Sequence, residues 1–330
     1  MSLKNKKAIV VYIDAHEKGE IEFSWLWKSW LLWDINKTWD LVAFVNPKIE
    51  KTISEKYKAE GLVVKPTIPL YEKDKYWNRY KYVNSFGMFE FEENINFIIK
   101  NYDFIFRTDC DTFLTKGFKE HSSIKTIEIG LGAQTFTMND TSKIEEVESK
   151  LKEIRDTLNL NNNRIKNVGA SILGLTQDVI TTTHYHFKLT RYILEICFKN
   201  GKYEGEWPGW FWGIASMYAI ELAVSHLFNP SFVRQGTVDV WCGPEIIDSY
   251  VKQIHAWQCK DIDGRHFDKV QWFIENKEKE DLTLREIKKR RGGNPTRLYK
   301  NLKFDKLPTT AGDYCLAIVN HDLEYLKSLV

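Results

Sequence analysis

A surplus of basic charge is missing from this chain. Across 330 residues 47 Lys and Arg face 45 Asp and Glu, a formal net charge of +2. Proteins that hold nucleic acid through its phosphates usually carry a far larger basic excess, so that class of partner is not expected. Cysteine is scarce too. Cys110, Cys197, Cys242, Cys259 and Cys315 include no Cys-x-x-Cys spacing, which removes zinc ribbons and thioredoxin-like motifs, and so few in a long chain do not make a disulfide framework. No Gly-x-Gly-x-x-Gly follows the first strand-like run, so a dinucleotide-binding oxidoreductase is excluded as well. Asp14 interrupts the first apolar run too early for a signal peptide. The stretch GWFWGIASMYAIELAVSHLF (209–228) imitates a membrane span, but Glu221 and His226 lie within it and no basic cluster flanks it. It reads as a buried helix, and the default location is the cytoplasm.

What the chain does have is aromatic surface: 12 Trp, 15 Tyr and 19 Phe. Trp and Tyr join a large apolar face to a polar handle, which suits both cores and sugar-stacking surfaces. The first hundred residues alternate strand and helix signals. KKAIVVYID (6–14), LVAFVNP (41–47), LVVKPTIPL (62–70) and YDFIF (102–106) read as strands. Helices are expected over 23–33, about 48–59 and about 79–100. That alternation predicts an α/β fold with a mostly parallel central sheet and helices on both faces. Further on, Ile144, Val147, Leu151, Ile154 and Leu158 are spaced for an amphipathic helix, and NVGASILGL (167–175) reads as a strand. The charged segment 276–300, with Lys288 to Arg291 in a row, reads as a solvated helix end.

Chemistry concentrates in YDFIFRTDCDTFLT (102–115), where a buried strand runs into Asp109-Cys110-Asp111. Ligands of open α/β sheets bind outside the carboxyl ends of the strands. Two carboxylates two residues apart on extended chain can face one side and hold a hard divalent cation. With 19 Asp in the chain, chance alone supplies about one Asp-x-Asp, and Asp261-Ile262-Asp263 is a second. Only the first has a strand before it. The simpler reading of such a pair is a surface turn.

The order of these pieces resembles the GT-A class of nucleotide-sugar glycosyltransferases, over about residues 6–273. The resemblance implies a Rossmann-type GT-A-like domain over 1–275, with a donor half to about 115 and an acceptor half from 116, and a helical, charged extension over 276–330. It implies that Asp109 and Asp111 hold Mn²⁺ or Mg²⁺ against a UDP- or GDP-sugar donor. His255 would complete the metal site, with His266 as a competitor, and Lys269 would meet the leaving phosphate. Tyr12, Ile13 and Asp14 would lie near the nucleotide base, and Arg79, with Lys81 behind it, near the diphosphate. A glycan or glycoprotein acceptor would stack on Trp207, Trp210 and Trp212. For the catalytic base, Glu206, Asp239 and Glu221 remain open. Arg107 and Cys110, flanking the motif, are not features that the class requires. A haloacid-dehalogenase-like phosphatase also places Asp-x-Asp after a strand, but here Phe113 stands where that family has Thr or Val. A non-catalytic carbohydrate-binding protein accounts for the tryptophans and leaves the carboxylates without a role. The aromatic excess divides accordingly: Trp25, Trp27, Trp30 and Trp33 for the core, Trp207 and Trp212 for a sugar.

Overall fold

The β-branched and aromatic runs pair as strands, and the computed structural model shows ten of them among the described residues. Those residues are 6–119, 126–132, 141–198, 204–207, 209–257, 263–277, 282–292, 295–300 and 302–330. The strands are β1 (Lys7–Ile13), β2 (Asp40–Val45), β3 (Leu62–Pro66), β4 (Phe104–Arg107), β5 (Thr112–Leu114), β6 (Ile127–Leu131), β7 (Val168–Leu175), β8 (Val233–Gln235), β9 (Val240–Trp241) and β10 (Gln253–His255). The chain divides into two compact units, each assembled from three stretches. One is Met1–His16, Thr38–Asp109 and Ser123–Gly236; the other is Glu17–Lys37, Cys110–Ser122 and Thr237–Val330.

In the first unit seven strands form one sheet in the order β3-β2-β1-β4-β7-β6-β8. Six run the same way and β7 runs against them, antiparallel to both β4 and β6. This is the mostly parallel, Rossmann-type α/β sheet that the alternation predicts. Strands of such sheets are buried on both faces, so they read as continuous apolar runs. On one face Val10, Val42, Ile105, Ile129 and Ile172 pack with Ile98, Ile180 and Val224 from three helices. The other face presents Ile9, Val11, Leu41, Ala43 and Phe106, equally buried. A second cluster joins the helices Thr141–Leu158, Thr176–Tyr192 and Ala215–Leu227, and takes in Trp77, Tyr80 and Trp212.

The segment expected to be one helix over 79–100 is not. It breaks into short turns, and a helix forms only over Glu92–Asn101. Its asparagines explain why, because they bond elsewhere instead of leaving the backbone to pair with itself. Asn84 accepts from the Leu70 N–H at 3.0 Å and donates to Asp14 at 3.1 Å, and Asn94 donates to the Met88 carbonyl. Gly87 is needed there for space: a Cβ would come within 2.8 Å of Leu70.

The second unit holds the small sheet β5-β10-β9 and the helices Glu17–Leu32, Lys269–Lys277, Leu284–Arg291, Ala311–Asn320 and Leu323–Ser328. Its core is aromatic. Trp25 stacks on Phe113 of β5 with centroids 5.7 Å apart and meets Phe267 and Trp272 edge-on. Trp25 and Trp30 are fully buried, while Trp27 and Trp33 are half-buried.

Candidate metal centre

Three short strands set the site. β5 follows Asp111 directly and pairs antiparallel with β10, placing Thr112 opposite His255. The Ala256 N–H donates to the Asp111 carbonyl at 2.9 Å, which fastens the loop beside the histidine. β9 pairs parallel with β10 on its other edge, bringing Asp239 up beside it. The result is a line of groups. His255 Nε2 lies 3.3 Å from Asp111 Oδ1, and its Nδ1 lies 3.1 Å from Asp239 Oδ1. Asp239 sits at φ +53°, a left-handed backbone that Asn and Asp tolerate best, and its N–H donates to the Gln253 side chain.

Lys269 opens the helix Lys269–Lys277, whose start is capped by Asp268 through the Val270 and Gln271 N–H groups. Asp268 is itself buried and bonded to Arg291 at 2.8 Å. Held there, the Lys269 ammonium bonds Asp111 Oδ2 and lies 3.3 Å from Glu22 of the helix Glu17–Leu32. Burial alone would favour the neutral carboxyl of Asp111, but Lys269 and His255 overcome it and hold the group well below the usual carboxylate range. Burial likewise works against a charged His255, and Asp111 with Asp239 push its pKa well above the ordinary value. Glu22 is raised to about 7, chiefly by burial, against the pull of Lys269.

Asp109, Asp111 and His255 each offer a ligand atom, all within 4.8 Å of one another. Two carboxylates and an imidazole suit a divalent cation. Metal-bound histidine usually donates its other ring N–H to a carboxylate, the role open to Asp239. The donor set therefore fits the cation that the sequence resemblance implies. Asp239→Asn keeps the turn and the acceptor but removes the charge. It is expected to lower Mn²⁺ affinity about tenfold, the mild end of the effect of losing such partners, as read by calorimetry.

Arg107 and Glu22 have no part in the sequence-based site. Arg107 is buried at the end of β4 and donates to Ser85 Oγ at 2.9 Å, to the Ala170 carbonyl, and to Asp109 Oδ1 at 3.3 Å. A buried guanidinium needs such partners, and its strand position, immediately before the motif, is the sequence signal that could have found it. Glu22 meets a lysine 247 positions away, which no local pattern encodes.

Asp14, at the end of β1, accepts from Asn46 at 2.8 Å, from Asn84 at 3.1 Å and from the Tyr71 hydroxyl at 3.2 Å. Lys81 lies over the Tyr71 ring, Tyr12 is buried in the sheet and Arg79 is exposed. Trp210 is sandwiched between Phe198 and Tyr218, and Trp212 is buried against Tyr80. Trp207, 43% exposed, and Glu206 face solvent. His266 bonds Asp263 within a local turn. Asp261 and Pro208 lie outside the described residues.

Glu221 is buried in the helix Ala215–Leu227, its Oε2 accepting from the Asn167 N–H at 2.6 Å. Burial raises its pKa from 4.5 to about 7, against the charges of Arg155 and Lys166. Between those values the folded chain keeps a proton that the unfolded chain has released, so stability falls as pH rises through the window. The cost is at most about 3 kcal/mol, at roughly 1.4 kcal/mol per unit. In urea denaturation, Glu221→Gln is therefore expected to match the wild type at pH 4 and exceed it by about 1–3 kcal/mol at pH 8.

Among the described residues no helix is long and apolar enough to cross a membrane. The chain is similar to mouse xyloside xylosyltransferase 1 in its apo form, with a TM-score of 0.38 and 9% identity over 76% of this chain and 96% of that one. It is also similar to 4-diphosphocytidyl-2C-methyl-D-erythritol synthase from Anaerococcus prevotii, with a TM-score of 0.29 and 10% identity over 66% of this chain and 98% of that one. No curated protein matches the sequence. Over residues 2–328 the chain belongs to the family described as Domain of unknown function (DUF7164).

Proposed function

We propose that this chain is a metal-dependent glycosyltransferase that moves a sugar from a UDP- or GDP-linked donor to a hydroxyl of a glycan or glycoprotein. The observation that carries the reading is the Asp109, Asp111 and His255 group beyond the carboxyl end of β4, with Asp239 on the second nitrogen of His255. Mn²⁺ or Mg²⁺ held by Asp109, Asp111 and His255 would supply charge stabilisation for the departing diphosphate.

The chain's own residues do the rest. Asp239 accepts the Nδ1–H of His255, which would turn the Nε2 lone pair of the neutral ring toward a cation. Arg107 fixes one oxygen of Asp109. Lys269 is a cation held beside Asp111, and in this reading it meets the leaving phosphate. Tyr12 and Asp14, at the end of β1, are the candidates for the nucleotide base; Lys81, over the Tyr71 ring, and Arg79 are those for the diphosphate. As the bond from the anomeric carbon to phosphate breaks and the bond to the acceptor oxygen forms, the acceptor proton passes to a carboxylate. Asp239 is engaged by His255, so Glu206 and Glu221 are the stronger candidates. Trp207 offers an exposed indole to an acceptor sugar; Trp210 and Trp212 hold its loop.

The test is a panel of UDP, GDP, ADP and CDP titrated with and without Mn²⁺, followed by hydrolysis assays on UDP- and GDP-sugars. Binding of UDP or GDP only with metal supports the reading. Phosphatase activity without sugar-nucleotide hydrolysis, or metal-independent glycan binding alone, overturns it.

A further inference from the structure

Glu221 forms part of the wall of a cavity of about 280 Å³ that the metal centre does not use. Arg155, Arg164, Lys166, Glu148 and Asn162 line it too. The volume lies just under the range of roughly 300–1,000 Å³ common for small-molecule sites, enough for a single sugar ring. Lys166 and Glu148 pair with each other, which leaves two guanidinium groups and one carboxylate in the lining. That carboxylate is nearly inaccessible from outside and, among the described residues, only one of its oxygens has a hydrogen-bond partner.

Glu221 lines the cavity with a side chain that is almost wholly inaccessible, and buried polar groups are nearly always satisfied, so its second oxygen points to a ligand that brings hydroxyls. The guanidinium surplus points to a ligand that also brings negative charge.

We propose that this cavity binds a sugar acid, with its ring hydroxyls on Glu221 and its carboxylate on Arg155 and Arg164. The proposal rests on the glycosyltransferase reading and names the acceptor class for it.

Titration of glucuronate, galacturonate, glucose and galactose into the intact protein tests the cavity. Either uronate is expected to bind at least tenfold tighter than its neutral parent. Arg155→Met is expected to erase that preference, and Glu221→Gln to weaken the uronate at least tenfold while leaving the fold intact. No uronate binding, or binding that both variants retain, overturns the proposal. UDP binding with Mn²⁺, measured in the same wild-type sample, separates the two readings. If UDP binds and uronates do not, the cavity assignment alone fails. If uronates bind and no nucleotide does, the transferase reading fails and the cavity stands.

Discussion

Asp111→Asn is expected to lower Mn²⁺-dependent binding of UDP or GDP by at least about 100-fold. The side chain is 14% exposed and carries the site from both oxygens, with His255 on one and Lys269 on the other. Outer partners of a metal site cost 10–100-fold when lost, so a ligand should cost at least as much. A second effect accompanies the first. Removing one member of a buried ion pair leaves uncompensated charge, which costs about 3–5 kcal/mol. The two effects separate by adding Lys269→Met: stability should partly return, and metal-dependent binding should not. Near-UV circular dichroism at low temperature verifies that each variant is folded before titration. Binding that survives in folded Asp111→Asn would contradict the ligand assignment.

Trp25→Ala is expected to cost about 3–5 kcal/mol, the range for a large aromatic truncated in a core. Trp25 is 1% exposed and touches four aromatic rings, from Phe113, Phe267, Trp272 and Phe273. Its partners belong to the elements that place the chemistry. Phe113 follows Asp111 by two residues on β5, and Phe267 and Trp272 flank Lys269. The packing thus links a helix near the start of the chain to both the carboxylate and the ammonium. A chemical-denaturation midpoint should fall steeply, and metal-dependent nucleotide binding should weaken in whatever protein remains folded. A loss below about 1 kcal/mol would show that the rings are not packed as described.

The parts of the fold that were readable in the sequence share a physical cause. Val10, Val42 and Ile105 lie in short β-branched runs because both faces of a parallel strand are buried, and such runs stand out. The helix Thr141–Leu158 announced itself by its apolar spacing. Residues 79–100 break up because Asn84 bonds to Leu70 and Asp14, partners outside the segment that no local pattern encodes. The same division holds in the site. Asp109 and Asp111 were legible from the strand that feeds them, and His255 only through a family resemblance. The roles of Asp239 and Glu22 depend on pairing between β9 and β10 and on a helix 247 residues from Lys269. No local pattern carries either. Of the tryptophans, Trp25 and Trp30 were placed correctly in the core. Trp212 is buried against Tyr80 because its loop turns inward there, leaving Trp207 as the exposed ring.

Glu221 and Arg107 show opposite ways of keeping a charge inside a protein. Arg107 is surrounded by acceptors and fixes Asp109. Glu221 is held by one N–H and opens onto a cavity, and its ionised form lowers stability at neutral pH. Retained destabilising groups are expected where function needs them.

Calorimetric titration of UDP and GDP into the wild-type protein, with Mn²⁺ and then with EDTA, tests the central claim most directly. The expected result is saturable binding of one of them, with a dissociation constant of roughly 1 μM to 1 mM, lost when the metal is chelated. Binding of neither nucleotide with metal, or equal binding in EDTA, would contradict it.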